Sequence, residues 1–218
     1  MEEQGAAQDM QEAAENGMVI KLLAIAERRV DDEGVEGIGA QVYPALVPTT
    51  HPLATVSGAF NAVVLENESA GRLMFYGQGA GGSPTASAVL GDVVAAARNK
   101  VGAGRAPGES TYAALPVASM EDISTRYHVR MRVADKPGVL ALVAAEFSNH
   151  GVSIAQCRQT EVEASTGEDD EVQPSAELTV LTHRASERAL ADTVAALSDQ
   201  GAVTDITSVI RLEGVDTE

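Results

Sequence analysis

The residues with the clearest chemical potential form a glycine loop, Gly77 to Gly82, whose sequence GQGAGG fits the pattern G-x-G-x-x-G. The apolar run RLMFY precedes this loop, and a helix-like segment that starts at Pro84 follows it. When a glycine loop connects a strand to a helix, the unpaired N–H groups at the helix N-terminus point outward. The glycines have no side chains, so a phosphate can come close to these groups. The pattern therefore leaves two alternatives open: a phosphate-binding loop, or a tight strand-to-helix turn that binds nothing.

The remainder of the dinucleotide-binding fingerprint does not follow this loop. The fingerprint needs a second parallel strand with an acidic residue at its end, about 20 residues after the glycines. Here the predicted helix extends to about Lys100, Asp92 lies inside it, and a segment rich in Gly, Ala, Pro and Ser comes next. We therefore predict no complete nucleotide-binding domain, but a well-formed helix start with Ser83 as the cap and Pro84 in the first turn.

The chain has one cysteine, Cys157, which excludes an intrachain disulfide and a zinc site built from several cysteines, so we predict no metal site. Cys157 lies in an apolar run, where we expect an inert buried thiol. Lys21 also lies in an apolar run. We expect it to be a structural lysine whose stem packs on apolar neighbours, not a catalytic one.

Composition and charge exclude some classes of partner. A length of 218 residues is enough for one large domain or two small ones. Apolar residues make up 44% of the chain and aromatic residues 3%. The net charge of −17 repels phosphate backbones and anionic lipids, so we expect neither a nucleic acid nor a membrane as partner. The acidic start lacks the apolar core of a signal peptide, and no apolar run has membrane-spanning length, so we expect a cytoplasmic location.

Hydrophobic patterns divide the first hundred residues into a helix, two strand pairs and a closing helix. We expect a helix over Ala6–Asn16 that stops at Gly17, then a hairpin from Met18 to Pro48 with its turn at Asp31–Gly37. The segments AFNAVVLE and RLMFY are typical of a second strand pair, which the glycine loop and its helix follow. Residues 101–124 are predicted to be a linker because Gly, Ala, Pro and Ser are frequent there.

The last ninety residues show the pattern of a small α+β domain. From Tyr127 to Val133 every second residue is apolar, and His128, Arg130 and Arg132 lie between them, which predicts a strand with one buried face. Helical spacing follows in GVLALVAAEFSNH and in SERALADTVAALSDQG, where Ser186 is the expected N-cap. The strand patterns VSIAQCRQ, AELTVLTH and AVTDITSVIRLEG complete the order βαββαβ, a split βαβ sandwich.

Two long stretches resemble a known enzyme family. GRLMFYGQGAGGSPTASAVLGDVVAAARN, preceded by MVIKLLAIAE and HPLATVSGAFNAVVLE, is similar to the glycine loop and closing helix of homoserine dehydrogenases. ADKPGVLALVAAEFSNHGVSIAQ resembles an ACT domain, the amino-acid-sensing module typical of members with a regulatory tail. The resemblance implies an α+β fold: part of a mixed-sheet substrate domain over residues 1–100, the linker over 101–124, and a ferredoxin-like βαββαβ ACT domain over 125–215.

The resemblance also implies site residues. In the family, the segment like GQGAGG lines the dinucleotide site from the far side, and the matching contacts to NADP or NAD are Gly79, Ala80 and Gly81. His51 stands where the family has a histidine near the substrate entrance. In ACT domains the loop after the first strand faces a ligand between two subunits, and the matching residues here are Asp135, Lys136, Pro137, Gly138 and Val139. Across the subunit pair the resemblance places Asn149, Gly151, Val152 and Ile154.

The implied activity is interconversion of L-homoserine and L-aspartate 4-semialdehyde with NAD(P)(H), in threonine and methionine biosynthesis. The implied partners are further copies of the chain, in a dimer or tetramer joined through the substrate-domain sheet and ACT pairing, and the implied allosteric ligand is threonine. The family's Rossmann domain, catalytic lysine and acidic homoserine-binding residues have no match here, so we expect a C-terminal half that is inactive alone. The alternative is a non-catalytic regulatory ACT dimer that binds an amino acid, and a pair that only dimerises also stays open.

Overall fold

The computed structural model describes residues 2–30, 34–102, 114–118, 123–162 and 174–214. The chain divides into two compact units. The first unit comprises Met1–Thr49 and Leu115–Glu218, and the second comprises Thr50–Ala114.

The elements follow the predicted order closely. They are α1 (Glu2–Glu15), β1 (Met18–Val30), β2 (Glu36–Pro48), a short 3-10 helix (Pro52–Thr55), β3 (Phe60–Asn67), β4 (Gly71–Gln78), α2 (Gly82–Val101), β5 (Ser124–Ala134), α3 (Val139–Asn149), β6 (Ile154–Val162), β7 (Ser175–Thr182), β8 (Ala185–Ser186), α4 (Glu187–Ser198) and β9 (Val203–Leu212). Gly17 ends α1 with a positive φ of 68°, a backbone conformation that glycine adopts without strain, so the predicted helix stop is confirmed.

The first unit is built on one mixed sheet with the strand order β1-β2-β9-β5-β7-β6. The pair β2–β9 is parallel, and the pairs β1–β2, β9–β5, β5–β7 and β7–β6 are antiparallel. The two-residue strand β8 pairs with β5 off this path. The predicted α+β class with a mixed sheet is confirmed, and the elements from β5 to β9 follow the predicted order βαββαβ apart from the additional two-residue strand β8.

The β1–β2 hairpin belongs to the same sheet as the C-terminal strands. Its register runs without a break from Met18 opposite Pro48 to Val30 opposite Glu36. Ala45 and Leu46 of β2 then pair with Arg211 and Leu212 of β9. The compact units therefore divide the chain differently from the predicted ranges 1–100, 101–124 and 125–215. The assignment of these ranges to a substrate domain, a linker and an ACT domain stays a prediction, and most of the linker lies outside the described residues.

A network of polar contacts connects the β1–β2 hairpin to the βαββαβ segment. The Tyr43 hydroxyl donates to Glu213 at 2.6 Å, and the Arg211 guanidinium lies 4.5 Å from the centre of the Tyr43 ring. Arg211 also donates to Glu187 at 2.6 Å, and the Tyr127 hydroxyl donates to the same carboxylate oxygen at 2.8 Å. Burial, and then the carboxylate that accepts its proton, raise the pKa of each tyrosine well above its ordinary value.

The main core lies between the sheet and the helices α3 and α4. It contains the alternate apolar residues of β5 from Tyr127 to Val133, together with Phe147 of α3 and Leu190 and Leu197 of α4. Ser186 caps α4 as predicted, because its Oγ accepts from the amide of Ala189 at 3.2 Å. One face of β5 is therefore buried by helices, as its alternation predicts.

The prediction that the other face of β5 is not buried is wrong at Arg130. This side chain is 1% exposed, because α1 covers it and supplies two carboxylates, Asp9 and Glu12, to its guanidinium. Arg132 on the same strand stays exposed. A strand's own alternation does not reveal a helix that packs on its polar face from elsewhere in the chain.

The second unit consists of the 3-10 helix, the β3–β4 hairpin and α2. The hairpin register runs from Phe60 opposite Gln78 to Asn67 opposite Gly71, and the rings of Phe60 and Tyr76 stack with their centres 4.9 Å apart. Many large apolar side chains of this unit are exposed, and they are Phe60, Val63, Leu65, Leu73, Met74, Phe75, Tyr76, Val89, Leu90, Val93, Val94 and Val101. No residue of α2 is buried among the residues that the structure describes.

Candidate cofactor and amino-acid sites

The glycine loop joins β4 to α2, as predicted. Gly79 donates its amide to the Ala59 carbonyl at 2.9 Å, which fixes the chain as it leaves the strand. Gly81 is the N-cap of α2, and its carbonyl accepts from the amide of Thr85 at 3.1 Å. Among the described residues, no side chain makes a capping hydrogen bond at this end of the helix.

The prediction that Ser83 caps this helix is wrong. The helix begins at Gly82, two residues earlier than the predicted start at Pro84, so Ser83 lies within the first turn and not at the cap position. Pro84 also lies in the first turn, where its missing N–H removes a donor that the helix does not use. The cap residue is Gly81, which has no side chain, and the N-terminus is left open to an external hydrogen-bond acceptor.

The glycines of the loop serve two different purposes. Gly81 has a φ of 128°, which side chains other than glycine rarely adopt, so the turn itself favours glycine there, whereas a Cβ at Gly79 would lie 1.6 Å from Nδ2 of Asn61 and would displace that side chain. A Cβ at Gly77 or Gly82 would meet no atom of the described residues within 4 Å. The loop is therefore open on the side of these two residues, and the N-terminus of a helix favours an anion.

His51 is the N-cap of the 3-10 helix in the second unit. Its Nδ1 accepts from the amide of Leu53 at 3.3 Å, and the side chain is half-buried. Because Nδ1 is an acceptor in this cap, the neutral ring carries its proton on Nε2. The structure thus gives His51 a local structural role, and its place near a substrate entrance stays a prediction.

A cavity of about 340 Å³ lies at the loop between β5 and α3. It is lined by all five residues that the resemblance assigns to this loop, which are Asp135, Lys136, Pro137, Gly138 and Val139. Gly138 caps α3 with a φ of 92°, and no side chain in the described part of the chain makes a capping hydrogen bond there. An open helix N-terminus beside an aspartate is complementary to the carboxylate and the ammonium of an amino acid.

Gln159 is a residue of this cavity that sequence reasoning missed. Its Nε2 donates to Oδ1 of Asp135 at 3.1 Å, and it pairs in register with Leu178, which also lines the cavity. The sequence does contain a partial signal, because the residues of β6 alternate between the two faces of the sheet and Gln159 belongs to one of them. The pairing of β6 beside β7, which brings Gln159 to Asp135, is a long-range feature that the pattern of β6 alone does not contain.

The other predicted ligand residues lie at the far end of α3. Asn149 is the last residue of the helix, Gly151 follows with a φ of 74°, and the amide of Val152 donates to the Phe147 carbonyl at 2.8 Å. Ile154 begins β6. An 11-residue helix is about 16 Å long. One chain does not bring these residues to the Asp135 loop, so their role requires a second copy and stays a prediction.

The prediction of a buried Cys157 is wrong. The residue lies on β6, at the edge of the sheet, and its side chain is exposed. The thiol pKa is raised by partial burial, which opposes formation of the nucleophilic thiolate.

Among the described residues, no helix is long and apolar enough to cross a membrane.

Comparison with known proteins shows what this arrangement resembles as a whole. The family described as "Homoserine dehydrogenase" matches residues 3–94. The chain is 60% identical over 198 residues to a homoserine dehydrogenase of Mycobacterium tuberculosis, covering 91% of this chain and 44% of that protein. It is 54% identical over 207 residues to a homoserine dehydrogenase of Corynebacterium glutamicum, covering 95% of this chain and 44% of that protein.

A solved structure agrees with these relatives. The crystal structure of a homoserine dehydrogenase from Thiobacillus denitrificans superposes with a TM-score of 0.79 at 32% identity, covering 94% of this chain and 45% of that chain. The chain thus spans less than half the length of the relatives that it matches. On the combined evidence of family, relatives and fold, the chain belongs to the homoserine dehydrogenases, as a partial member of that family.

Proposed function

We propose that this chain is the C-terminal part of a homoserine dehydrogenase, which interconverts L-homoserine and L-aspartate 4-semialdehyde with NADP or NAD. The observation that carries this proposal is the 60% identity, over 91% of the chain, to a homoserine dehydrogenase. Its likeness to the T. denitrificans structure, with a TM-score of 0.79, also supports the proposal. In this proposal the chain closes the cofactor site and carries an amino-acid sensor.

The glycine loop is the part of the proposal that concerns the cofactor. Gly79, Ala80 and Gly81 would lie against a phosphate of the dinucleotide, with the uncapped N-terminus of α2 directed at it. The cofactor, when bound, supplies the hydride acceptor or donor, and the residues of this loop only hold and orient it. His51, whose Nδ1 caps the 3-10 helix, would lie near the substrate entrance in this proposal.

The exposed apolar surface of the second unit supports the idea that this part of the protein packs against another protein surface. Single exposed apolar residues are ordinary, but here both strands of the hairpin and the helix α2 expose them together. A unit of this kind fits the edge of a larger substrate domain better than a domain that acts alone.

We predict that the purified chain does not reduce NADP or NAD in the presence of homoserine. The glycine loop contacts only one side of a dinucleotide in this proposal, and the lysine that would act as proton donor or acceptor has no counterpart here. The measurement is homoserine-dependent formation of reduced nicotinamide, followed by absorbance. Turnover that is lost in the Gly81→Asp variant would show that these 218 residues assemble a complete site, and would contradict the proposal.

The βαββαβ segment would be an ACT domain that senses threonine. The cavity at Asp135–Val139 supports this, because an aspartate, an open helix N-terminus and the Gln159 amide surround a space of amino-acid size. In the proposed dimer or tetramer, β1 and β6, which are the outermost strands of the described sheet, would contact further copies. Asn149, Gly151, Val152 and Ile154 would then come from the second copy.

We predict that threonine raises the melting temperature of the purified chain. A ligand that binds only the folded state stabilises it, by about 2.7 kcal/mol at a concentration of 100 times Kd. The Asp135→Asn variant should lose this shift, because the neutral amide no longer attracts the ammonium group of threonine. The control is L-serine, which lacks the methyl group. No shift at millimolar threonine in the unmodified chain would favour a segment that only dimerises.

A further inference from the structure

A second cavity, of about 180 Å³, lies between α1 and the face of the sheet opposite α3 and α4. His128, which lines it, alternates along β5 with the core residues Tyr127 and Val129. The cavity shares no lining residue with the one at Asp135–Val139. The cavity between α1 and the sheet has room for several heavy atoms, because one water molecule needs roughly 10–15 Å³ of cavity volume. Its floor is apolar and includes Leu46, Leu181 and Leu212.

The α1 side of this cavity is anionic. Asp9 and Glu12 line it, and both carboxylates are paired to the buried Arg130 guanidinium, with the Asp9 contact at 2.7 Å. A third carboxylate, that of Glu177, has its Oε2 4.0 Å from Nη1 of the same guanidinium. Glu177 does not line the cavity and also interacts with the charges of Arg132 and Arg158. The two carboxylates that do line this side, Asp9 and Glu12, are paired to one guanidinium, which leaves net negative charge there.

The β6 side of the cavity is cationic. Arg158 lines it, and its Nη1 donates to the neutral amide oxygen of Asn16 over a long 3.5 Å. Within the part of the chain that the structure describes, no carboxylate lies within 4 Å of Arg158. The guanidinium is therefore available for a carboxylate, which it binds with two parallel hydrogen bonds.

The cavity also contains an unsatisfied polar atom. Nδ1 of His128 is buried and has no hydrogen-bond partner among the described residues. Burial lowers the pKa of this histidine, so its ring is neutral at neutral pH and can donate or accept a hydrogen bond. A buried polar group without a partner is destabilising and is rare in folded proteins. A polar ligand in the cavity would satisfy it.

We propose that this cavity binds a free α-amino acid with an apolar side chain. The carboxylate of the ligand pairs with Arg158, its ammonium group lies between Asp9 and Glu12, and its side chain packs on the leucines of the floor. A simple anion is repelled by the two carboxylates, and a simple cation is repelled by Arg158, whereas a zwitterion is attracted by both. Such a ligand bridges α1 and the sheet, so its binding also holds α1 in place.

The test is a titration of the purified chain, followed by calorimetry, with L-valine and L-leucine. Two analogues of valine serve as matched ligands: valinamide, which lacks the carboxylate, and isovalerate, which lacks the ammonium group. We expect the amino acids to bind, and each analogue to bind at least tenfold more weakly. Failure of both amino acids to bind at millimolar concentration, or equal binding of an analogue, overturns the proposal.

Three variants locate the site. Arg158→Gln should weaken valine binding at least tenfold, and its side chain is exposed, so folding is not at stake. Arg132→Gln removes the same charge from an exposed residue that does not line the cavity, and should leave binding unchanged. Asp135→Asn alters only the other cavity and should also have no effect. Loss of valine binding in Asp135→Asn but not in Arg158→Gln would place the ligand in the other cavity and overturn the proposal.

Hydrogen exchange gives an independent readout in the unmodified chain. Saturating valine should slow amide exchange in α1, because the ligand adds contacts between this helix and the sheet. Binding that leaves exchange in α1 unchanged contradicts the bridging geometry. These outcomes do not depend on whether the protein reduces NADP or responds to threonine, so this proposal and the proposed function fail separately.

Discussion

Replacing Phe147 by alanine is expected to lower the free energy of unfolding of the first unit by about 3–5 kcal/mol. Phe147 is fully buried in the cluster that α3, α4 and the sheet form together. Alanine removes the ring and leaves a cavity that surrounding strands cannot fill without shifting. The measurement is urea unfolding followed by circular dichroism, with hydrogen exchange to separate the two units.

The matched control for Phe147→Ala is Leu140→Ala. Leu140 lies on the same helix, but its side chain is 48% exposed. Its truncation should change the free energy of unfolding by about 1 kcal/mol or less. In Phe147→Ala, amide protection should fall in β5 and β7, while protection in β3 and β4 should stay unchanged. Equal effects of the two substitutions would contradict the core described here.

Replacing Arg130 by methionine is expected to destabilise the docked position of α1 by about 3 kcal/mol, because removal of one partner of a buried ion pair leaves charges uncompensated. Asp9 and Glu12 lose their cation, and Glu177 lies close by. The helix can leave the sheet and return its carboxylates to water. The loss should therefore be seen first as faster amide exchange in α1 and later as a lower melting temperature.

A matched comparison makes the Arg130 result specific. Arg132→Met removes the same charge from an exposed position of the same strand and should have little effect on either readout. If α1 stays equally protected in Arg130→Met, the ion pairs do not hold this helix.

Local patterns predicted most of the elements. The period of two from Tyr127 to Val133 identified β5, and the helical spacing and cap of the segment after Ser186 identified α4. Gly17 marked the end of α1 because its conformation is one that other residues avoid. In each case the information lies within a few neighbouring residues, which is why the sequence suffices.

Long-range contacts were not predictable in the same way. The burial of Arg130 depends on α1, which precedes it by more than a hundred residues, and the pairing of Ala45 with Arg211 joins two ends of the chain. The hairpin and the βαββαβ segment were therefore expected in separate domains, although they share one sheet. Neither contact leaves a pattern in the residues of one strand.

The candidate site was predicted in part. The five residues at Asp135–Val139 follow from a resemblance, and the structure places all of them around one cavity. Gln159 was missed because it reaches the cavity from a neighbouring strand. Ser83 was chosen as a cap by residue type, whereas backbone geometry placed the cap at Gly81. The site residues that depend on a second copy lie beyond what one chain reveals.

The most direct test of the central claim uses the M. tuberculosis relative as a host. In that enzyme the segment matched by this chain, 60% identical over 198 residues, is replaced by the present sequence. The measurement is homoserine-dependent reduction of NADP by the purified chimera. We predict activity within about tenfold of the host enzyme, and its loss in the chimera that also carries Gly81→Asp, whose carboxylate repels a dinucleotide phosphate. A chimera that folds and assembles like the host but reduces no NADP would contradict the assignment of this chain to the homoserine dehydrogenase reaction.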